Sequence, residues 1–192
     1  MTKSTKQHIL QSGYQLIACR GFSAVGLAEI LKTAKVPKGS FYHYFASKEQ
    51  FGEALINHYF TEYLAQLTSQ FAPEQGNGYQ RLTQYFKQWL ASQADLSNMQ
   101  KCLVVKLSAE VADLSEPMRV ALLAGAHKII AQIVTVIEQG IQDGSIAKQS
   151  AEPSAQMLYY LWLGASLMSK LQQSNAPLQN AMQVTERQLT TK

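Results

Sequence analysis

Cysteine is nearly missing from this 192-residue chain, which holds only Cys19 and Cys102. Two cysteines so far apart exclude a disulfide-built scaffold and a metal knuckle, both of which need closely spaced sulfur. Charge is sparse too, at 16% Asp, Glu, Lys and Arg against 46% hydrophobic residues. That balance suits a globular core and leaves apolar surface for self-association. No apolar leader opens the chain, because Met1-Thr2-Lys3-Ser4-Thr5-Lys6 runs straight into a helical pattern. The most apolar run, Met157 to Met168, falls well short of the roughly 20 residues a membrane helix needs. No helix is both strongly cationic and broadly apolar, which argues against a membrane surface. These absences point to the cytoplasm. Alternation of period two, the mark of a strand, never persists, so the expected fold class is all-α.

Acidic residues are scarce in one place above all. Residues 1–50 hold Glu29 and Glu49 against Lys3, Lys6, Arg20, Lys32, Lys35, Lys38 and Lys48, a net of +5 within a chain whose total is +4. A basic N-terminal quarter on a nearly neutral body favours a phosphate-binding module joined to something else.

Helical periodicity and end signals divide the chain. Ser4 with Gln7 forms a capping-box pattern, Ile9, Leu10, Gly13, Leu16 and Ile17 follow on one face, and Gly21 reads as a stop. Cys19 lies next to this stripe and is expected to be a buried small residue. A second helix over Leu27–Ala34 is expected to bury Leu27, Ile30 and Leu31. Lys35-Val36-Pro37 reads as a turn, and Pro37 suits the first turn of a third helix over Lys38–Phe45, where its missing N–H costs nothing. Ser47 with Gln50 caps a fourth helix reaching Leu67. Ala72–Gly78 is a loop. Helices follow at about 79–94, 102–112, 118–140 and 153–172, and residues 176–190 read as a weak terminal helix or a frayed end. The helices at 118–140 and 153–172 are apolar over more than one face, as expected of a pair that also meets a second copy of the chain.

The stretch Leu27–Phe51 bears most on function. Two short helices with a tight corner, the second inward at Phe41 and Phe45 and polar or aromatic outside, describe a helix-turn-helix whose second helix enters a major groove. An ordinary helical corner with a solvated polar face fits the same pattern.

Around this stretch the chain resembles the tetracycline-repressor family of bacterial transcriptional regulators. Phe22, Leu27-Ala28-Glu29-Ile30-Leu31, Val36-Pro37, Lys38-Gly39-Ser40-Phe41-Tyr42-His43-Tyr44-Phe45 and Ser47-Lys48-Glu49 carry the resemblance. It implies a three-helix DNA-binding head over residues 1–48 and a larger helical effector-binding and dimerisation body over 49–192. It further implies a homodimer on a palindromic operator, usually a repressor, released by a small molecule. The dimer would form through the helices near 118–141 and 153–172. The family often has Gly where this chain has Lys35, and a positive φ there costs on the order of 1 kcal/mol.

On that reading Lys38 and the N–H groups at the start of its helix favour a phosphate or base edge. Ser40 takes a base or backbone contact, and Gly39 permits close approach. Tyr42 and His43 face outward, with the Tyr42 ring suited to a thymine methyl. Tyr44 either contacts DNA or packs, and Lys48 clamps the backbone. His43 has no partner at metal-ligand spacing.

The segments Lys101–Asp113 and Leu161–Lys170 look like the family branch that includes repressors of electrophile- and oxidant-detoxifying reductases. Cys102 is expected at the start of a helix, where the dipole and the nearby Lys101 and Lys106 favour a thiolate. Lys170 would approach it from across the body. A sensor thiol and a buried helix residue both remain open for Cys102. Trp89 and Trp162, with other aromatics, either line a pocket for an apolar effector or form core. No cofactor and no metal are expected. His8, His43, His58 and His127 come with no catalytic constellation, so an enzyme is not expected. The rival function is a helical protein-interaction module without DNA binding.

Overall fold

The computed structural model describes residues 4–94 and 103–190. Among them there are nine α-helices and no strand: α1 Thr5–Arg20, α2 Leu27–Ala34, α3 Lys38–Tyr44, α4 Lys48–Gln70, α5 Gly78–Ala94, α6 Leu103–Leu114, α7 Glu116–Gln142, α8 Ala151–Gln172 and α9 Ala176–Leu189. A single 3-10 turn, Pro73–Gln75, lies in the loop before α5. The all-α expectation holds. Two compact units emerge, one of Met1–Glu62 with Met99–Gly125, the other of Tyr63–Asn98 with Ala126–Lys192. Helices α4 and α7 each contribute to both. Residue 48 is thus the first residue of α4, and the compact unit holding the first three helices runs on beyond it.

In the first unit, local end signals do what chemistry requires. Ser4 Oγ accepts the Gln7 N–H while Gln7 Oε1 accepts the Ser4 N–H, so two orphan donors of α1 are satisfied together. The helix ends at Gly21, φ +93°, whose N–H returns to the Ile17 carbonyl. Ile9, Leu10, Ile17 and Ala18 of α1 pack inward with Phe22, Val25, Ile30, Phe41, Phe45, Phe51, Leu55 and Ile56. Gly13 is needed for this approach, since a Cβ there would lie 2.3 Å from the Phe51 ring. Two expectations are corrected. Cys19 is exposed, because the buried stripe of α1 closes with Ile17 and Ala18 and position 19 turns past it. Leu27 and Leu31 are only half-buried, and α2 anchors through Ile30 and Ala34 instead.

The second unit is built on aromatics. Leu82, Tyr85, Phe86 and Trp89 of α5 meet Leu158, Tyr159 and Trp162 of α8, and all are buried. Gly78 of α5 lies against the backbone of Gly140 in α7, where a Cβ would come within 2.4 Å. Helix α9 is more than a frayed end: Leu178, Ala181, Met182, Thr185 and Leu189 are buried along one face. Its polar residues hid the stripe, but apolar or small residues recur every three or four positions. Helix α7 is long and apolar enough by composition to cross a membrane. The run Met157–Met168 did not mark this helix, because His127, Lys128 and Gln132 break α7 into shorter apolar runs.

Lys35 supplies a stability test. It adopts φ +52° and ψ +41°, and its N–H and that of Val36 return to the Lys32 and Leu31 carbonyls, which closes α2 in a Schellman motif. A lysine there carries left-handed strain of roughly 1–2 kcal/mol, part of which glycine returns through its freer unfolded state. Lys35→Gly is expected to raise the unfolding free energy by roughly 0.5–1 kcal/mol, read as a higher midpoint in urea. A lower midpoint would mean that the lysine side chain makes compensating contacts.

Candidate DNA-reading face

The corner between α2 and α3 presents the second helix outward. Pro37 stands at its N-cap in extended conformation, and Ser40 N–H donates to the Pro37 carbonyl at 3.0 Å. Phe45 ends the helix, donating to the Phe41 carbonyl before the chain straightens. Phe41 and Phe45 are buried, with ring centroids 5.2 Å apart and each within about 5.5 Å of Phe51. This fixes the rotation of α3 and so selects the residues left outside. Lys38, Gly39 and His43 are exposed, Tyr42 is 48% exposed, and Ser40 is half-buried.

Lys38 Nζ stands 5.7 Å from the centre of the Tyr42 ring, so charge and aromatic surface lie side by side one turn apart. A Cβ at Gly39 would meet nothing within 4 Å. No packing among the described residues requires glycine there. His43 packs edge-on against Tyr44, with centroids 4.7 Å apart. Tyr44, open between two roles in the sequence, is half-buried and lines an open cleft of about 190 Å³ with Lys6, Gln50 and Glu53.

Lys48, expected to clamp the DNA backbone, is also engaged within the chain. Its ammonium donates to the Phe22 carbonyl at 2.8 Å and lies 4.4 Å above the Phe22 ring. Burial pushes its pKa down, with Glu49 and Glu110 opposing, and the net is a lowered value. Its first task is within the chain, though an ammonium retains donors beyond one bond.

Cys102, with Lys101, lies outside the described residues. Lys106 is directed to α1, where its ammonium donates to the Cys19 carbonyl at 2.9 Å. Lys170 is exposed in the last turn of α8, where its charge suits the helix dipole. Trp89 and Trp162 are core: Trp89 Nε1 donates to Ser166 Oγ at 3.0 Å and Trp162 Nε1 to Thr185 Oγ1 at 2.9 Å, while Phe86 stacks on Trp162 at 4.9 Å.

Sequence reasoning missed Glu110. Its carboxylate accepts the Phe22 N–H at 2.9 Å and also the Ser23 N–H. Burial pushes its pKa up, but the Ser23 and Phe22 donors and the Lys106 charge outweigh this and hold it below the ordinary carboxylate value. The only signal was an i,i+4 pair with Lys106, which resembles any solvated helix face. On α8, Met157, Tyr160, Leu167, Met168 and Leu171 are exposed while Leu158, Tyr159 and Trp162 are buried, so the helix is apolar on both sides.

Residues 9–55 match the family described as "Bacterial regulatory proteins, tetR family", and residues 78–185 match "Tetracyclin repressor-like, C-terminal domain". The HTH-type transcriptional repressor NemR of Escherichia coli (strain K12) is 45% identical over 180 residues, covering 93% of this chain and 90% of that protein. The HTH-type transcriptional repressor DhaR of Mycobacterium sp. (strain GP1) is 31% identical, covering 93% and 89%. The crystal structure of the reduced form of E. coli NemR superposes with a TM-score of 0.93 at 43% identity, covering 98% of each chain. A regulatory protein TetR from Rhodobacter sphaeroides superposes with a TM-score of 0.86 at 29% identity, covering 96% and 98%.

Proposed function

The chain belongs to the tetR family of bacterial regulatory proteins, and from that membership we propose that it docks α3 in the major groove of a palindromic operator as a homodimer. It is a DNA-binding transcriptional regulator of the repressor type. The observation that carries the proposal is the rotation of α3, which buries Phe41 and Phe45 and exposes Lys38, Tyr42 and His43. Residues 1–48 act as the DNA-reading part and 49–192 as the effector and dimerisation part. Lys38, Gly39, Ser40, Tyr42, His43 and Tyr44 form the contact surface, with Lys48 holding the corner beside it. The partner copy covers the outer apolar stripe of α8, whose exposed Met157, Tyr160, Met168 and Leu171 favour burial on association. On α7 only Val120 and Leu123 are exposed large apolar residues, beside the exposed polar His127, Lys128, Thr135 and Glu138, so α8 contributes more of that interface than α7.

For release, a small-molecule effector or modification of Cys102 acts on the body. A thiolate at Cys102 would add to an electrophilic carbon or reduce a peroxide-type oxidant, itself becoming a sulfenic acid. Support comes from its place in sequence directly before α6, and from a NemR structure described as a reduced form.

Gel shift with the gene's own upstream DNA at ~100 mM salt is the test, since low salt inflates non-specific binding. A sequence-specific shift is expected, and it is expected to disappear on electrophile treatment of the natural protein while persisting for Cys102→Ser. Absence of a specific shift on that DNA, or on any selected palindrome, would refute operator binding. Equal sensitivity of both proteins would remove Cys102 from the release step.

A further inference from the structure

The corner between α1 and α2 is held by more charge than a turn requires, and that charge comes from two other helices of the same unit. Both backbone groups of Phe22 are held, its N–H by Glu110 of α6 at 2.9 Å and its carbonyl by Lys48 of α4 at 2.8 Å. Ser23 N–H donates to the other oxygen of Glu110. One turn earlier on α6, Lys106 bonds the carbonyl of Cys19, among the last of α1. Gly21 makes room for this: a Cβ there would sit 2.8 Å from Glu110 Oε2. The α6 residues thus cap the C-terminus of α1 with a cation and bind the N–H groups that follow with an anion.

We propose that Lys106 and Glu110 are coupling residues, through which α6 and the DNA-reading head sense each other's state. The inference rests on the operator-binding reading above. Both side chains arise from one face of α6, four positions apart, and bond backbone rather than another flexible side chain. A displacement of α6 by 1–2 Å, about the size of common helix shifts, exceeds the tolerance of these bonds, so the corner follows or lets go. The corner cannot move alone. Arg20 of α1 pairs with Glu29 of α2, and His8 Nε2 bonds the Ala34 carbonyl at 2.8 Å, directly before the Lys35 turn into α3. Because coupling between binding sites is reciprocal, operator bound at α3 must alter α6 if α6 alters operator affinity.

Hydrogen–deuterium exchange on the full-length protein, with and without the duplex shifted in the gel assay, reads this directly. In the natural protein the duplex is expected to slow exchange in α3 and to change exchange in residues 103–114 by about threefold or more. In Lys106→Gln/Glu110→Gln the α3 effect is expected to persist and the α6 effect to vanish, and Lys106→Arg should retain both. Without DNA, the double variant should also exchange the Phe22 and Ser23 amides about tenfold faster, having lost the carboxylate acceptor. An α6 response that is missing in the natural protein, or equal in the double variant, while α3 is slowed would overturn the coupling. No slowing of α3 in the natural protein would overturn the operator reading, and the coupling with it.

Discussion

Phe41→Ala lowers the unfolding free energy by about 3–5 kcal/mol, the range for deleting a fully buried aromatic ring, and abolishes the operator shift. The side chain has no exposure, and its ring packs within 5.5 Å of Tyr42, Phe45 and Phe51. Helix α3 is only Lys38–Tyr44, too short to hold itself in water. Its stability therefore comes from Phe41 and Phe45 inserted beneath it. Removing Phe41 leaves a cavity next to Phe51, which itself packs against Gly13 of α1, where no side chain can swing in to fill the gap. Phe41→Leu, which keeps most of the apolar volume, should cost about half as much or less. Urea denaturation followed by circular dichroism checks both values. A loss below about 1 kcal/mol for alanine would place Phe41 outside the core and would undermine the account of how α3 is oriented.

How much of this was legible beforehand depends on what each feature rests on. The corner was readable because its signals are local: Phe41 and Phe45 four apart, Pro37 at the helix entrance, Ser47 and Gln50 at the next. Lys35 was readable as the uncomfortable position, and it does occupy the left-handed region. Side-chain destinations over long range were not legible. Lys48 was expected at the DNA backbone and Lys106 beside the Cys102 thiol, and nothing local showed that the fold brings backbone carbonyls within 3 Å of them. Glu110 showed only its i,i+4 spacing from Lys106, because its partners at Phe22 and Ser23 are 87 or more positions away and carry no side-chain signature. Helix α9 was underestimated for a related reason: its buried Thr185 is polar in composition, yet its hydroxyl serves the indole of Trp162. The α8 surplus of apolar residues was legible as a surplus, and the fold resolves it into an inner face of Trp162 and Tyr159 and an outer one of Met157, Tyr160 and Leu171.

Replacing Lys38 and Tyr42 together by alanine should weaken operator binding by a factor of about 10²–10⁴ while leaving the fold intact. Each residue is outside the core, and neither caps a helix: α3 has no side-chain cap, and the Lys38 ammonium lies 5.7 Å from the Tyr42 ring centre. Stability should therefore change by no more than about 0.5 kcal/mol. A base-edge or close phosphate contact is worth roughly 1–3 kcal/mol, so two such losses give the stated range if they add. The singles separate the two roles. Lys38→Ala, if the ammonium meets a phosphate, weakens all duplexes alike and reduces the slope of log affinity against log salt by about one. Tyr42→Ala leaves that slope unchanged and narrows the gap between the operator and a duplex altered at one base pair, as expected when a ring is packed on a base. The ring and the charge sit within one turn, so a non-additive double variant is itself informative about their mutual positioning. Binding isotherms at several salt concentrations, on the operator and on single-base variants, measure both quantities. Natural affinity in the double variant would move the reading surface off α3.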